Sequence, residues 1–170
     1  MTLPLLFHPP EPLSAAHHLA DFSCGEPILD EWLQRRALPN QETGASRTYV
    51  LLDKTGAVVG YYALAAGALL TKEASGRIRR NMPDPIPVMV LGRLAIATTH
   101  QNRGLGRDLL RDAILRTLQA AQIAGFRAML VHALHEKAAR FYLRSGFQPS
   151  PVRPLTLMLL LSDATAALEG

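Results

Sequence analysis

The feature that most constrains the fold is a strand, a glycine-containing loop and a long amphipathic helix in the second half of the chain. Residues 88–96 form an apolar run that predicts a buried strand, and residues 105–124 predict a helix that Gly125 ends. Further strands are expected at residues 128–133 and 155–161, with a helix at residues 136–145 between them. Alternation of strands and helices favours an α/β sheet with a right-handed parallel crossover.

The first half makes this sheet mixed. Residues 48–52 and 58–64 are β-rich and are separated by a predicted hairpin turn at residues 53–56. Two helical pieces are expected before them, at residues 14–20 and from Pro27 to a stop at Pro39. Residues 66–87 are expected to be a mobile or binding loop with a basic cluster.

Composition limits the class of protein. A chain of 170 residues predicts a single domain spanning residues 1–170, and 48% apolar residues are enough for a real core. Its one cysteine, Cys24, excludes an internal disulfide, and neither a secretory signal nor a membrane span is recognisable. These observations favour a cytoplasmic protein.

The net charge of +4 comes from 15 Arg and 3 Lys against 14 acidic residues. Arginine grips phosphates with its planar fork, so a polyanionic partner fits this bias. The alternative is an ordinary solvated surface with arginine-rich codon usage. Charge alone favours this alternative over a polyanionic partner.

The loop at residues 101–107, of sequence QNRGLGR, is the most informative segment. A helix N-terminus leaves backbone N–H groups unpaired, and two glycines allow a diphosphate to approach them. The loop lacks the lysine and hydroxyl of a P-loop and the third glycine of a dinucleotide site. A diphosphate cradle of another kind remains, although a tight strand-to-helix turn would also need glycine.

This loop and the blocks around it resemble the GCN5-related N-acetyltransferase (GNAT) superfamily. The resemblance rests on Gln101-x-x-Gly104-x-Gly106 after LGRLAI at residues 91–96, and on AARFY at 138–142 and SGF at 145–147. It implies a mixed central sheet with splayed strands and flanking helices, and acetyl-CoA as co-substrate. Backbone groups would bind the pantetheine arm at Leu94, Ala95 and Ile96, and the pyrophosphate at Gln101, Asn102, Arg103, Gly104, Leu105, Gly106 and Arg107.

The first half is similar to one subgroup, the GNAT toxins of type II toxin–antitoxin modules. The similar blocks are FxCGxxxLDxWL at residues 22–33, SRTYV at 46–50 and GYYAL at 60–64. The resemblance implies acetylation of the α-amine of aminoacyl-tRNA, neutralisation by a ribbon-helix-helix antitoxin, and a homodimer. A GNAT enzyme for a small amine or a protein N-terminus, or a non-catalytic acyl-CoA-binding regulator, stays open as an alternative.

Tyr142 is the expected catalytic residue, because acyl transfer from a thioester needs a proton for the departing thiolate. A pKa near 10 would keep the phenol protonated, although a tyrosine between Phe141 and Phe147 could simply fill the core. No general base is obvious; His132 is a candidate, but a hydrogen-bonded core histidine is the simpler expectation. An α-amine, with a pKa near 8, needs less help to deprotonate than a lysine.

Arginines are the candidates for substrate binding. Arg93 interrupts an apolar strand, and Arg47 belongs to the SRTYV block, so we expect these two to contact the acceptor. Arg35, Arg36 and the cluster at residues 77–80 could grip an RNA backbone, but solvated surface explains each one singly. The scattered histidines show no metal-binding spacing, so no metal is expected.

Overall fold

The computed structural model describes residues 7–169. The chain forms two compact units, the first built from Met1–Ala65 and Gly92–Ala113, the second from Ala66–Leu91 and Ile114–Gly170. Both the longest strands and the longest helix have residues in each unit. Within residues 7–169, no helix combines the length and apolarity needed to cross a membrane.

The first unit contains an antiparallel ladder of β1 (Glu11–Pro12), β2 (Arg47–Leu52) and the start of β3 (Val58–Leu69). The predicted hairpin between β2 and β3 is confirmed. The Asp53 carboxylate accepts hydrogen bonds from the Thr55 N–H, the Thr55 hydroxyl and the Ala57 N–H, and Gly56 supplies a φ of 86°. An Asx-type turn with glycine therefore fixes the register of these strands.

One helical segment covers residues 27–43 in three pieces: α1 (Pro27–Trp32), a π-helix (Leu33–Ala37) and α2 (Leu38–Thr43). The predicted start at Pro27 is confirmed, but the predicted stop at Pro39 is wrong. Pro39 lies in the first turn of α2, where a backbone N–H is not required, and the segment ends at Gly44 with a φ of 85°.

The helix predicted at residues 14–20 is also wrong, because these residues form turns. The imidazole Nδ1 of His17 accepts the Ser14 N–H at 3.0 Å, and its Nε2 lies 2.9 Å from a Glu11 carboxylate oxygen. Side-chain hydrogen bonds to the local backbone thus replace the helical pattern.

The second unit contains the start of β4 (Ile86–Ile96), then β5 (Ala128–His132), β7 (Thr156–Leu160) and β6 (Gln148–Pro149), hydrogen-bonded in that order. β4 and β5 are parallel, as predicted, and the other pairs in this unit are antiparallel. Its core is an aliphatic cluster that includes Ile86, Val88, Leu130 and Met158. The prediction of a mixed sheet is confirmed.

The parallel ladder between β4 and β5 is short. Its register runs from Val88–Ala128 to Val90–Leu130, although β4 continues to Ile96 and β5 to His132. The backbone of β4 beyond Val90 is therefore not used by that ladder.

Residues 7–169 also contain the α-helices α3 (Gly76–Arg79), α4 (Leu105–Ala120), α5 (Glu136–Arg144) and α6 (Ala164–Glu169), with short 3-10 helices at Thr71–Glu73, Thr98–His100 and Leu161–Asp163. The helix predicted to reach residue 124 thus ends four residues earlier. The loop predicted at residues 66–87 is wrong in part, because β3 extends to Leu69 and α3 and the start of β4 also lie there.

Candidate active site

The loop before α4 has an unusual backbone. Asn102 and Gly104 adopt positive φ angles of 63° and 81°. Asparagine is among the few residues other than glycine that tolerate this left-handed region. A Cβ added at Gly104 would meet no atom within 4 Å, so the space beside this backbone is open. Alternating backbone hands of this kind turn successive N–H groups toward one side and form anion-binding concavities.

The N-terminus of α4 supplies donors at the same place. The first intrahelical bond runs from the Asp108 N–H to the Gly104 carbonyl at 3.2 Å, so the N–H groups of Leu105, Gly106 and Arg107 precede it. Arg103 and Arg107 are exposed, whereas Leu105 is buried and fixes the helix start. Donors, helix dipole and positive side chains together fit a diphosphate.

Asp108 is the acidic residue of this first turn. Partial burial raises the pKa of its carboxyl group, while the positive charges of Arg111 and Arg107 act in the opposite direction. The three arginines Arg103, Arg107 and Arg111 outnumber this one carboxylate, so the helix start keeps a net positive charge.

Gln101 is placed differently from the other loop residues. Its side-chain Nε2 donates to the Cys24 carbonyl at 2.7 Å and to the Ile96 carbonyl at 2.8 Å. Both amide hydrogens are therefore used to hold protein backbone, and the side chain binds the loop rather than presenting a donor to a ligand.

The segment Leu94, Ala95 and Ile96 forms the end of β4. Leu94 is half-buried, and Ala95 and Ile96 are buried. The strand is packed closely from behind: a Cβ at Gly60 would lie 2.9 Å from Ile96 Cδ1 and 3.3 Å from the Ala95 carbonyl oxygen. A side chain at position 60 would require the Ile96 side chain and the Ala95 carbonyl to shift, so glycine allows this close approach to the backbone that the resemblance assigns to pantetheine.

Tyr142 lies on α5, which begins with the His135 side chain accepting the Ala138 N–H at 3.1 Å. The tyrosine ring is 6% exposed and packs edge-on against Phe141 and Phe147, with ring centroids 5.0 and 5.5 Å apart. Burial raises the pKa of its phenol. No hydrogen bond of the hydroxyl is found within residues 7–169. The phenol is thus buried and stays protonated at physiological pH.

The guanidinium of Arg93 lies over an aromatic ring. Its guanidinium carbon lies 5.1 Å from the Trp32 ring centroid, and its Nη1 donates to the Gly92 carbonyl at 2.7 Å. Trp32 in turn stacks on Tyr61, with an interplanar angle of 7°. A cation–π contact explains how a charge is tolerated in this strand. In the sequence, Trp32 stands out only as part of the FxCGxxxLDxWL block, and this pairing could not be predicted from it.

Arg47 has a more local partner. Its Nη1 donates to the Gln41 carbonyl at 2.7 Å, near the end of α2, and the side chain is exposed. Arg35 and Arg36 are exposed on the π-helix, and Arg77 forms an ion pair with Asp163. Arg47 and Arg77 therefore each have a structural contact, whereas Arg35 and Arg36 face solvent.

One further candidate, the possible general base His132, differs from expectation. His132 is exposed rather than in the core, although its Nδ1 lies 3.0 Å from the Thr156 hydroxyl. Cys24 is buried, and burial together with Asp30 raises the pKa of its thiol to about 11, which makes it a poor nucleophile. In the part of the chain that the structure describes, no cluster of three His, Cys, Asp or Glu residues could hold a metal ion.

The family model of the GNAT acetyltransferase domain matches residues 44–149, which include β2 to β5, the glycine loop and Tyr142. The chain belongs to the GNAT acetyltransferase family. It is thus an N-acetyltransferase by family, and the strand, loop and helix around Gly104 are the part of the GNAT domain that sequence analysis singled out.

Comparison with known proteins shows which GNAT acetyltransferases this chain resembles. It is 53% identical over 157 residues to the tRNA-acetylating toxin of Mycobacterium tuberculosis, which covers 92% of this chain and 94% of that protein.

Two solved structures share the fold over nearly the whole chain. The structure of AtaT complexed with acetyl-methionyl-tRNAfMet matches with a TM-score of 0.86 and 28% identity, over 94% of this chain and 98% of that one. A tyrosine-to-phenylalanine mutant of AtaT, bound to acetyl-CoA and to the C-terminus of the antitoxin AtaR, matches with a TM-score of 0.80 and 26% identity, over 96% and 99%.

Proposed function

We propose that this GNAT acetyltransferase transfers the acetyl group of acetyl-CoA to the α-amine of aminoacyl-tRNA and thereby blocks translation. The observation that carries the proposal is the 53% identity to a tRNA-acetylating toxin over 92% of the chain. Coverage of this extent also supports treating residues 1–170 as one acetyltransferase domain.

The glycine loop is proposed to hold the diphosphate of acetyl-CoA. The N–H groups of Leu105, Gly106 and Arg107 precede the first helical hydrogen bond, and the open space beside Gly104 gives a phosphate access to them. Arg103 and Arg107 would add charge. The backbone of Leu94, Ala95 and Ile96, which lies beyond the ladder with β5, is proposed to pair with the amides of the pantetheine arm.

Tyr142 is proposed to donate the proton that the leaving thiolate needs. The amine nitrogen attacks the thioester carbonyl carbon, the C–N bond forms, and the tetrahedral intermediate expels the thiolate as the C–S bond breaks. The phenol proton then passes to sulfur, the new amide nitrogen loses its extra proton to water, and solvent restores the phenol. The raised pKa keeps the Tyr142 phenol protonated at physiological pH, which is the state that a proton donor requires.

The chemistry of the acceptor accounts for the lack of a carboxylate base on β4, whose sequence IPVMVLGRLAI contains none. An α-amine has a pKa of about 8, and the neighbouring ester of an aminoacyl group lowers it further. A substantial fraction of the acceptor is therefore neutral and nucleophilic at physiological pH without a protein base.

Arginines are proposed to bind the acceptor. Arg93 is pre-organised over Trp32, so less side-chain freedom is lost when it contacts a phosphate or a carbonyl. Arg47, Arg35 and Arg36 are exposed and available for backbone phosphates. Recognition that depends on such contacts weakens as salt is added.

A toxin of this kind needs an antitoxin. We propose that a ribbon-helix-helix antitoxin neutralises this chain, supported by the match to AtaT bound to the C-terminus of AtaR. We further propose a homodimer, as the toxin resemblance implies, and a cytoplasmic location, because charged tRNA is found there.

One experiment separates this proposal from its alternatives. The purified chain is incubated with acetyl-CoA labelled in the acetyl group, together with charged tRNA, uncharged tRNA or a polyamine. Label on the aminoacyl group of charged tRNA alone supports the proposal. Labelling of the polyamine without charged tRNA would establish a small-molecule enzyme, and binding without transfer to any amine would establish a regulator.

A further inference from the structure

We infer that Gln101 is a positioning residue whose side chain clamps the diphosphate loop to the end of β4 and to the Ser23–Gly25 segment. The inference rests on the proposed acetyl-CoA site, whose loop it concerns. It changes the expected role of Gln101, because the side chain sets where the donors of the loop lie.

The geometry of the carboxamide carries the inference. One nitrogen donates to two carbonyls, at 2.7 Å to Cys24 and at 2.8 Å to Ile96. Both distances are short for N–H···O bonds, and they use the two hydrogens that the amide has. The Gln101 side chain therefore has no amide hydrogen left for a diphosphate, and the donors available to that ligand are the backbone N–H groups of the loop.

The two carbonyls belong to functionally different segments. Ile96 ends the strand proposed to hold pantetheine, and Cys24 lies in a segment near the N-terminus, 77 residues away in sequence. A single side chain thus joins the pantetheine strand, the diphosphate loop and the N-terminal segment.

A second contact joins the same N-terminal segment to the loop. The Thr98 N–H donates to the Ser23 carbonyl at 2.8 Å, and a Cβ at Gly25, whose φ is 91°, would lie 3.7 Å from the Thr98 side chain. The segment is itself fixed to α1, since the Cys24 N–H donates to the Asp30 carboxylate at 2.9 Å. The clamp therefore rests on an anchored support.

The clamp predicts a selective kinetic effect. Loss of both hydrogen bonds lets the loop sample positions in which its N–H groups do not converge, so acetyl-CoA binds to a smaller fraction of molecules. We expect Gln101→Met, which keeps the length but has no donor, to raise the Kd and the KM for acetyl-CoA about tenfold. The kcat at saturating acetyl-CoA should change by less than about twofold, because the bound loop is then restored.

Two further variants test the chemistry. Gln101→Arg restores N–H donors on a long side chain, and we expect it to recover most of the affinity. Gln101→Asn keeps an amide that is one methylene too short to reach both carbonyls, and we expect it to behave like Gln101→Met. Gln122→Met is the matched control, since Gln122 is exposed after α4 and its side chain makes no hydrogen bond within residues 7–169.

Calorimetric titration of the full chain with acetyl-CoA, combined with steady-state kinetics, gives the readout. Weaker binding by Gln101→Met and Gln101→Asn, recovery by Gln101→Arg and an unchanged kcat support the clamp. Equal affinity of wild type and Gln101→Met, or a fall in kcat without a change in KM, overturns it. If the wild type itself binds no acetyl-CoA, the proposed function fails first, and the two failures remain distinct.

Discussion

Asn102 and Gly104 both hold left-handed backbone angles, with only Arg103 between them. This pair turns the chain sharply just before α4, and a Cβ added at Gly104 would meet no protein atom within 4 Å, so the space beside the helix start is open. The turn therefore costs backbone strain at Asn102 and yields a concave donor surface.

Gly104→Ala is expected to weaken acetyl-CoA binding about tenfold, or about 1.4 kcal/mol, because a methyl group would occupy the space beside the donors. Isothermal titration with acetyl-CoA measures this effect. Gly56→Ala is the matched control, since Gly56 also has a positive φ, 86°, and open space around it. Both variants should lose about 1–2 kcal/mol of stability, but only the first should lose affinity. If Gly104→Ala and the wild type bind acetyl-CoA with equal affinity, the loop is not part of the acetyl-CoA site.

Tyr142→Phe is expected to lower kcat about 10²- to 10⁴-fold while leaving the Kd for acetyl-CoA unchanged, because only the proton donor is removed. The fold should persist, since the ring keeps its contacts with Phe141 and Phe147 and the hydroxyl has no partner to lose within residues 7–169. Rapid-quench assays with charged tRNA measure the chemical step.

Tyr61→Phe is the control for Tyr142→Phe. The Tyr61 hydroxyl donates to the Leu29 carbonyl at 2.7 Å in a fully buried position. Its removal should cost about 1 kcal/mol of stability and leave kcat nearly unchanged. A reversed pattern, in which Tyr61 and not Tyr142 controls turnover, would contradict the mechanism.

Arg93→Gln is expected to lower kcat/KM for charged tRNA about tenfold without changing acetyl-CoA affinity, because the charge over Trp32 is lost. Arg153→Gln is the control: Arg153 is exposed and pairs with Glu73 at 2.8 Å. Steady-state assays at two salt concentrations provide the measurement. If both variants behave alike, Arg93 has no specific role in recognising the acceptor.

Cys24 is expected to resist alkylation at neutral pH. Its thiol pKa of about 11 lies above the ordinary value of 9, so the thiolate fraction at pH 8 is about a hundredfold smaller than that of a free cysteine. The rate of iodoacetamide labelling should be half-maximal near pH 11 for the native protein and near pH 9 for the unfolded chain. A native-state midpoint at or below 9 would show that the thiol is not desolvated.

Thr48→Val is expected to stabilise the protein by about 1 kcal/mol. The Thr48 side chain is 0% exposed, and its hydroxyl is buried without a hydrogen-bond partner in the described part of the chain. An apolar group of similar shape removes that desolvation cost. Thr117→Val is the matched control, because Thr117 is equally buried but has a partner. Urea unfolding of both variants should give shifts of opposite sign.

Local chemistry decided which parts of the fold could be predicted. The hairpin was predictable because Asp53 and Gly56 form a complete turn within five residues. The start of the helical segment at Pro27 was predictable for the same reason. Its end was not, because the π-helix at Leu33–Ala37 moves Pro39 into a first-turn position, and no local signal marks such a change of helix type.

In the candidate site, too, local features could be predicted from the sequence and long-range contacts could not. The glycine loop and Tyr142 could be proposed from sequence blocks, and they lie at the start of α4 and on α5. The two carbonyls that accept hydrogen bonds from the Gln101 amide could not be identified from sequence, because one of them lies 77 residues away along the chain. The same holds for Arg93 and Trp32, whose contact depends on how α1 packs against the sheet in the first unit.

The lack of a side chain at Gly60 constrains where the end of β4 lies, and this matters for redesign of the acetyl-CoA site. No ligand needs to touch this residue for it to matter, because the absence of its side chain determines how deep the end of β4 sits. A single methyl group there would have to push the Ile96 side chain or the Ala95 carbonyl outward. Gly60 is therefore a point at which the position of the end of β4 could be adjusted without changing any residue proposed to bind acetyl-CoA.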